Sequence, residues 1–381
     1  MNGNRDGFGS KLGAIAAAAG SAIGLGNIYR FPCLAGENGG GAFLLIYIAI
    51  VLCLGIPIMM AEFYIGRRGG KNPVGSIKEL SPKTHWNLIG YIGILAAFVV
   101  LAFYSTVSGW TLEYIYKAAT NFFANKDIAT IEQGFVDFNN NPFRPFLWQF
   151  LFMGLTAFII FKGIKEGVEK YTKILMPALF VILIILCIKS LTLDEASKGL
   201  KFLFKPDFSK VDANVLLAAL GQAFFSLSLG MGCLSTYASY FNDDTKMGKT
   251  ALSVGVIDTF VAILAGLIIF PAAFSVGIQP DAGPSLIFIT LPNVFQQAFG
   301  AVPFLATIFS LMFYILLALA ALTSTISMHE VVTAYLNEQF GWKRSRAAIL
   351  VTAFCAVTGI LSSLSLGIWD AKIFGLSCFD F

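Results

Sequence analysis

Charge is what this sequence has least of. Of its 381 residues only 13% are Asp, Glu, Lys or Arg, against 57% hydrophobic, and only two are histidine. A chain with a mean hydropathy of +0.76 cannot hide so much apolar surface in one water-soluble core, so a polytopic membrane protein is left. His85 and His329 stand far apart with no HExxH-type spacing, which removes the common histidine metal motifs. The six cysteines (Cys33, Cys53, Cys187, Cys233, Cys355, Cys378) are scattered, mostly in apolar runs, and never in CxxC spacing. Disulfides and a metal cofactor are therefore not expected. No nucleophile and base recur together in the apolar runs, and the early glycines lack the spacing and preceding strand of a nucleotide loop, so neither an enzyme nor a nucleotide binder is favoured. The net charge of +4 forms no basic patch interleaved with aromatics, and nucleic acid is excluded as a partner.

What is present is a succession of apolar runs. They fall near 12–35, 42–65, 88–118, 146–164, 172–192, 213–240, 250–278, 302–336 and 347–366. Each meets or approaches the roughly 20 residues that one helical crossing needs. About nine spans are thus expected, several of them tilted or continuing into water. Arg5 and Lys11 precede the first run, but its length and internal polarity make it a retained span and not a cleaved signal. With the N-terminus inside, sixteen Lys and Arg fall on the cytoplasmic side and nine outside. This excess favours a cytoplasmic N-terminus.

Two runs carry a small Gly-x-Gly element at mid-depth, Gly24-Leu25-Gly26 and, 206 positions on, Gly230-Met231-Gly232. Glycines there weaken a helix, and an unwound backbone in lipid is tolerable only where it lines a cavity or a ligand. Gly20-x-x-x-Gly24 alone would suit a close-packing face equally well; the matched second element favours paired broken helices. Polar residues inside the runs are costly unless they face a partner: Ser21, Asn27 and Arg30 in the first, Glu62 in the second, Tyr104 in the third, Gln222, Ser226 and Ser228 in the sixth, and Thr323, Ser324 and Thr325 in the eighth. Any one Ser or Thr could simply bond its own helix backbone. Asp258, in the seventh, needs a cation beside it, fixed or bound.

The stretch from Gly20-Ser21-Ala22-Ile23-Gly24-Leu25-Gly26-Asn27 to Tyr29-Arg30-Phe31-Pro32, followed by Glu37-Asn38-Gly39-Gly40-Gly41-Ala42-Phe43, strongly resembles the first-helix signature of the neurotransmitter:sodium symporter family. Gly55-Ile56-Pro57, Glu62, Phe224 to Gly232 and Leu322-Thr323-Ser324-Thr325 extend the resemblance over essentially the whole chain. It implies an all-α, LeuT-like fold of inverted five-helix repeats with broken helices one and six, here residues 1–195 and 213–381. LeuT-type symporters are themselves the type case of paired broken helices at a binding site. The family has eleven or twelve spans, so the second repeat is expected to be incomplete, with a truncation at the C-terminus.

By the same resemblance, an amino-acid carboxylate would meet the backbone at Leu25 and Gly26 and the hydroxyl of Tyr104, where positive half-helix ends attract an anion. The ammonium would meet carbonyls near Ala22, Phe225 and Ser226 and the hydroxyl of Ser228. Phe225 would form a lid, and Val100, Ser228, Met231, Ser324 and Met328 the side-chain pocket. Two sodium ions would find oxygen ligands: the first at the Ala22 carbonyl, Asn27, Ser226, Asp258 and the substrate carboxylate; the second at carbonyls of Gly20, Ile23 and Ala320 with the hydroxyls of Thr323 and Ser324. Chloride-dependent relatives place Asn where Asp258 stands and Ser where Ala262 stands, so chloride, bound near the equivalents of Tyr47, Gln222 and Ser226, is not required here. Arg30 resembles the outer gate, with Asp380 near its acidic partner's expected place, and Arg5 and Glu338 resemble the inner gate pair. Gly167-x9-Pro177 resembles the family motif where the fifth helix unwinds. The expectation is a sodium-coupled symporter of neutral hydrophobic or aromatic amino acids in a prokaryotic inner membrane, with substrate, sodium and the bilayer as partners. A sodium-dependent binding sensor and an inactive fragment are the alternatives.

Overall fold

The computed structural model describes residues 7–277, 286–299 and 302–364, together with a two-strand antiparallel pairing of Lys372–Ile373 with Leu376–Ser377. Everything else described is helix, turn or loop. Span 1 is Lys11–Ala22 and Gly26–Glu37, bent by 46° at its break. Gly41–Gly69, Asn87–Ala119, Arg144–Phe161 and Ile164–Ser190 follow as spans 2 to 5. Span 6 is again interrupted, as Ala213–Ser226 and Cys233–Ala238. Met247–Ser275, Pro303–Phe340 and Arg344–Leu364 are spans 7 to 9. Among the described residues seven helices are individually long and apolar enough to cross, and the bent first span makes eight. The sixth expected run is helical too, but its break leaves Ala213–Ser226 short of a full crossing.

Local chemistry sets these boundaries. Ser10, Asn72, Asp127 and Asp212 each turn a side-chain oxygen onto the backbone N–H of Gly13, Gly75, Thr130 and Val215, capping the helices they precede. Gly70 and Gly341 end spans 2 and 8 in the left-handed region, where a side chain would be strained. Between spans 7 and 8 lies an element the hydropathy pattern does not announce. Its turn Leu286–Thr290 and helix Leu291–Phe299 lie against span 8, where the Tyr314 hydroxyl donates to the Ile287 carbonyl at 3.0 Å.

Spans 3, 4, 8 and 9 pack on one another, whereas the first half of span 1 lies against spans 5, 7 and 8. Charge inside the packed group is paired. Glu113, fully buried, accepts from Arg144 at 2.9 Å and from the Trp148 indole at 2.6 Å. Glu330, equally buried, accepts from Tyr240 at 2.8 Å and pairs with Arg344. Leaving either carboxylate alone in this interior would cost several kcal/mol, on the order of 3–5. Span 8 of this group touches both broken spans, at the first half of span 1 and the second half of span 6.

Candidate functional site

The two Gly-x-Gly elements break their helices for different reasons. In span 6, Ser228, Gly230 and Gly232 all have positive φ, at 54°, 78° and 72°, so the chain reverses its winding before Cys233 restarts the helix. Glycine tolerates this freely, but Ser228 does not, and a non-glycine residue held there is strain of the kind found at functional sites. In span 1 the glycines keep negative φ and serve close approach instead. A Cβ on Gly24 would overlap the hydroxyls of Ser324 and Tyr104, and one on Gly26 would come within 3.1 Å of the Phe225 ring.

The breaks face each other across a cavity. Its wall is formed by Ser21, Ala22, Gly24 and Gly26 of span 1, Val100 and Tyr104 of span 3, Phe225, Ser226, Ser228 and Met231 of span 6, and Ser324 and Met328 of span 8; its empty space, including the part that opens to solvent, is about 270 Å³. Ten of the eleven residues expected at a substrate site thus come together. Leu25, the eleventh, keeps its side chain off the wall, but its N–H donates to the Tyr104 hydroxyl at 2.7 Å. Ser21, noted in the sequence as a polar residue of the first run, and Gly24, noted as part of its break, line the cavity as well, although the sequence alone assigns neither there, because residues facing a ligand space cannot be told from a packing face by spacing alone. Ser228 donates to the Ser21 carbonyl at 2.8 Å and Ser324 lies 3.4 Å from the same oxygen, tying spans 1, 6 and 8.

Ser226 links this cavity to a buried carboxylate. Asp258 is fully buried. Its Oδ1 accepts from Asn27 at 2.7 Å and Ser226 at 2.8 Å, and its Oδ2 from the Tyr47 hydroxyl at 2.7 Å. Asn27 also donates to the Asp258 carbonyl and accepts the Gly24 N–H, so the break in span 1 and the carboxylate are held by one amide. Among the described residues no Lys, Arg or His forms an ion pair with Asp258. Neutral donors stabilise a buried carboxylate only in part. Ala262, one turn on, is fully buried and brings no polar group to the cluster. Gln222 turns elsewhere, to the Gly26 carbonyl at 2.7 Å.

A second convergence of oxygens lies where span 8 meets span 1. The Thr323 hydroxyl is 3.0 Å from the Ala320 carbonyl, 3.2 Å from that of Ile23 and 3.4 Å from that of Leu319. One hydrogen cannot serve three acceptors at once. Gly20 backs this point, since a methyl added there would lie 3.4 Å from the Thr323 Cβ, while Ser324 is turned to the cavity.

At the cavity's other end the Arg30 guanidinium lies 5.1 Å from the centre of the Phe225 ring and donates to Gln222 at 3.2 Å. Glu62 accepts the N–H of Gly230 at 2.7 Å, holding the unwound stretch of span 6. Glu338 accepts the backbone and side-chain N–H groups of Asn72 at 2.6 and 2.9 Å. Arg5 and Asp380 lie outside the described residues. Gly167 sits in a wide helical turn, Ile164–Glu169, that continues directly into Lys170–Ser190, and Pro177 lies inside that helix, so span 5 is wound throughout here. A Cβ on Gly167 would strike the Ile159 carbonyl.

Known proteins resemble this chain in sequence and in fold. The profile of the sodium:neurotransmitter symporter family matches residues 5–131 and 118–380. An uncharacterised sodium-dependent transporter of Bacillus subtilis, YhdH, is 41% identical over 372 residues, spanning 97% of this chain and 81% of its own. An uncharacterised sodium-dependent transporter of Haemophilus influenzae is 37% identical over 395 residues, spanning 100% and 85%. Among solved structures, that of MhsT in complex with L-phenylalanine superposes with a TM-score of 0.92 at 46% identity, over 99% of this chain and 85% of that one.

Proposed function

Because the chain belongs to the sodium:neurotransmitter symporter family, we propose that it carries neutral hydrophobic or aromatic amino acids across the membrane by alternating access, driven by two sodium ions and without chloride. It is an integral multi-pass membrane protein of sodium-coupled transport, and not an enzyme. The observation that carries the finer reading is Asp258. A fully buried carboxylate with only neutral donors, joined to a cavity through Ser226, is a place where a cation gains most.

In this reading the substrate carboxylate sits at the break of span 1. The Tyr104 hydroxyl, which accepts from Leu25, keeps its own hydrogen to donate to that carboxylate. The ammonium meets the carbonyls of Ala22, Phe225 and Ser226 and the Ser228 hydroxyl. Val100, Met231 and Met328 offer an apolar wall, and thioether groups repack readily around different apolar partners. None of the residues lining the cavity is charged, so an acidic or basic side chain would be left unpaired at a cost of several kcal/mol. That MhsT was crystallised with L-phenylalanine favours the same substrate class.

The first sodium takes Asp258, Asn27, Ser226, the Ala22 carbonyl and the substrate carboxylate; the second takes the Gly20, Ile23 and Ala320 carbonyls with Thr323 and Ser324. Hard oxygen ligands suit sodium in both. Sharing the substrate carboxylate makes ion and substrate binding mutually favourable. With the N-terminus cytoplasmic, the broken helices of spans 1 and 6 rock against the packed group of spans 3, 4, 8 and 9, opening the site alternately. The test is uptake of labelled leucine and phenylalanine into proteoliposomes under a sodium gradient. Accumulation in sodium and none in potassium is expected. Equal accumulation in both salts would overturn the proposal, and sodium-dependent binding without uptake would favour a sensor.

A further inference from the structure

The first half of span 1 is poorly equipped to hold itself in place by apolar burial. Six of its twelve residues are alanine and two are glycine, while its one leucine, Leu12, is 68% exposed. In lipid such small side chains let helices approach closely, but they offer few distinctive groups to fix one position of the half-helix. Discrete polar contacts therefore matter for where this half-helix sits. Beyond span 6, Tyr240 and Asn242 bond the Phe8 backbone and Asp244 pairs with the exposed Lys11; from span 5 one buried acidic side chain grips the start of the helix itself.

Glu169 ends the wide turn of span 5 and is buried. Its Oε2 accepts the N–H of Gly9 at 2.6 Å, and its Oε1 accepts the Ser10 hydroxyl at 2.8 Å and the Lys173 ammonium at 2.5 Å. Ser10 is at the same time the N-cap of span 1, accepting from Gly13. The carboxylate therefore holds the cap, and the cap holds the helix. Gly13 completes the fit, since a Cβ there would overlap the Glu169 carboxyl group. About one and two turns further along span 5, Thr172 and Met176 lie against Gly20, whose carbonyl belongs to the proposed second sodium site.

We infer that Glu169 is a latch that holds the N-terminal half of span 1 closed over the second sodium site, and that its release from Gly9 and Ser10 accompanies opening toward the cytoplasm. The inference rests on the symporter reading for its consequence, and on the contacts alone for its existence. Charge-assisted hydrogen bonds of this kind are stronger than neutral ones and are lost together when the half-helix lifts. Lys173 stays with the carboxylate in either state, being on the same helix. It keeps Glu169 paired when the latch opens.

The experiment uses the full-length protein in lipid nanodiscs and follows hydrogen exchange of the segment 7–17 in sodium, for the wild type, Glu169→Gln, Glu169→Ala, Gly13→Ala and the double variant Gly13→Ala/Glu169→Ala. Exchange of that segment should rise about tenfold or more in Glu169→Ala, as loss of charge-assisted bonds implies, and less in Glu169→Gln, with span 4 unchanged. Gly13→Ala should raise it in the wild type, where the new methyl meets the carboxylate, but lower it in Glu169→Ala, where only the helix preference for alanine over glycine is left. That change of sign is not expected of a residue that merely packs. In parallel, the sodium concentration for half-maximal binding of labelled leucine should rise severalfold in Glu169→Ala with the binding maximum kept. Wild-type exchange in both Glu169 variants, or a Gly13→Ala effect of the same sign in both backgrounds, overturns the latch. Loss of sodium dependence already in the wild type overturns the symporter reading instead, and leaves the exchange result to judge the latch alone.

Discussion

Asp258 concentrates the chemistry of this protein in one side chain. Tyr47, Asn27 and Ser226 surround it with three neutral donors, and Ala262 offers nothing polar nearby. In the proposed reading, a fixed negative charge in that place does what an added anion would otherwise do for a bound cation. Asp258→Asn should therefore raise the sodium concentration for half-maximal leucine binding by at least about tenfold, the scale of one charge removed at close range in a partly screened interior, and should make the residual binding respond to chloride. Wild-type uptake should not change when chloride is exchanged for gluconate. A collapse of wild-type uptake in gluconate would show that the carboxylate does not replace the anion. The sequence pointed to Asp258 because a carboxylate in an apolar run is costly wherever it sits. It did not point to Glu169 or to the clasp of Glu113 by Arg144 and Trp148, because an acid near a span end reads as an ordinary solvated charge until its partners are known. The Gly9 partner of Glu169 is 160 residues away.

Among the helices, the nine apolar runs and the two broken ones were legible because membrane crossing imposes length and composition together. The reason for each break was not. Identical Gly-x-Gly letters mark crowding in span 1 and reversed winding in span 6, and only the neighbours distinguish the two. A methyl on Gly230 meets nothing within 4 Å, so Gly230→Ala has only its backbone conformation to pay for, about 1–2 kcal/mol. Gly24→Ala meets Ser324 and Tyr104, the groups nearest the proposed carboxylate position. We expect Gly230→Ala to lower the unfolding temperature in detergent by a few degrees and to keep sodium-dependent leucine binding. Gly24→Ala should abolish binding while still purifying as a monodisperse protein. The reverse pattern, binding lost at 230 and kept at 24, would mean that the roles of the two elements have been exchanged. The helix Leu291–Phe299 escaped the sequence reading for a related reason: it is too short to cross and too apolar to look like a loop.

On the scale of the whole molecule, the proposed cycle moves the half-helices of spans 1 and 6 against the packed spans 3, 4, 8 and 9, with the ion gradients setting the direction. Each sodium that crosses with the membrane potential contributes about 2.3 kcal/mol per 100 mV. Asp258 stays with the protein and carries no net charge across, and a zwitterionic substrate adds none. Under the proposed stoichiometry, two sodium ions without chloride move two positive charges per substrate. At steady state the accumulation ratio of substrate should rise as the square of the sodium ratio, so doubling the sodium gradient at fixed potential should raise it about fourfold, against twofold for a single ion. The same stoichiometry predicts that imposing an inside-negative potential steepens accumulation twice as strongly, on a logarithmic scale, as one ion would. Proteoliposomes with sodium and potassium gradients set independently, the potential clamped by valinomycin, measure both slopes. A first-power dependence on sodium would remove the convergence at Thr323 from the coupling mechanism and leave Asp258 as the seat of a single driving ion.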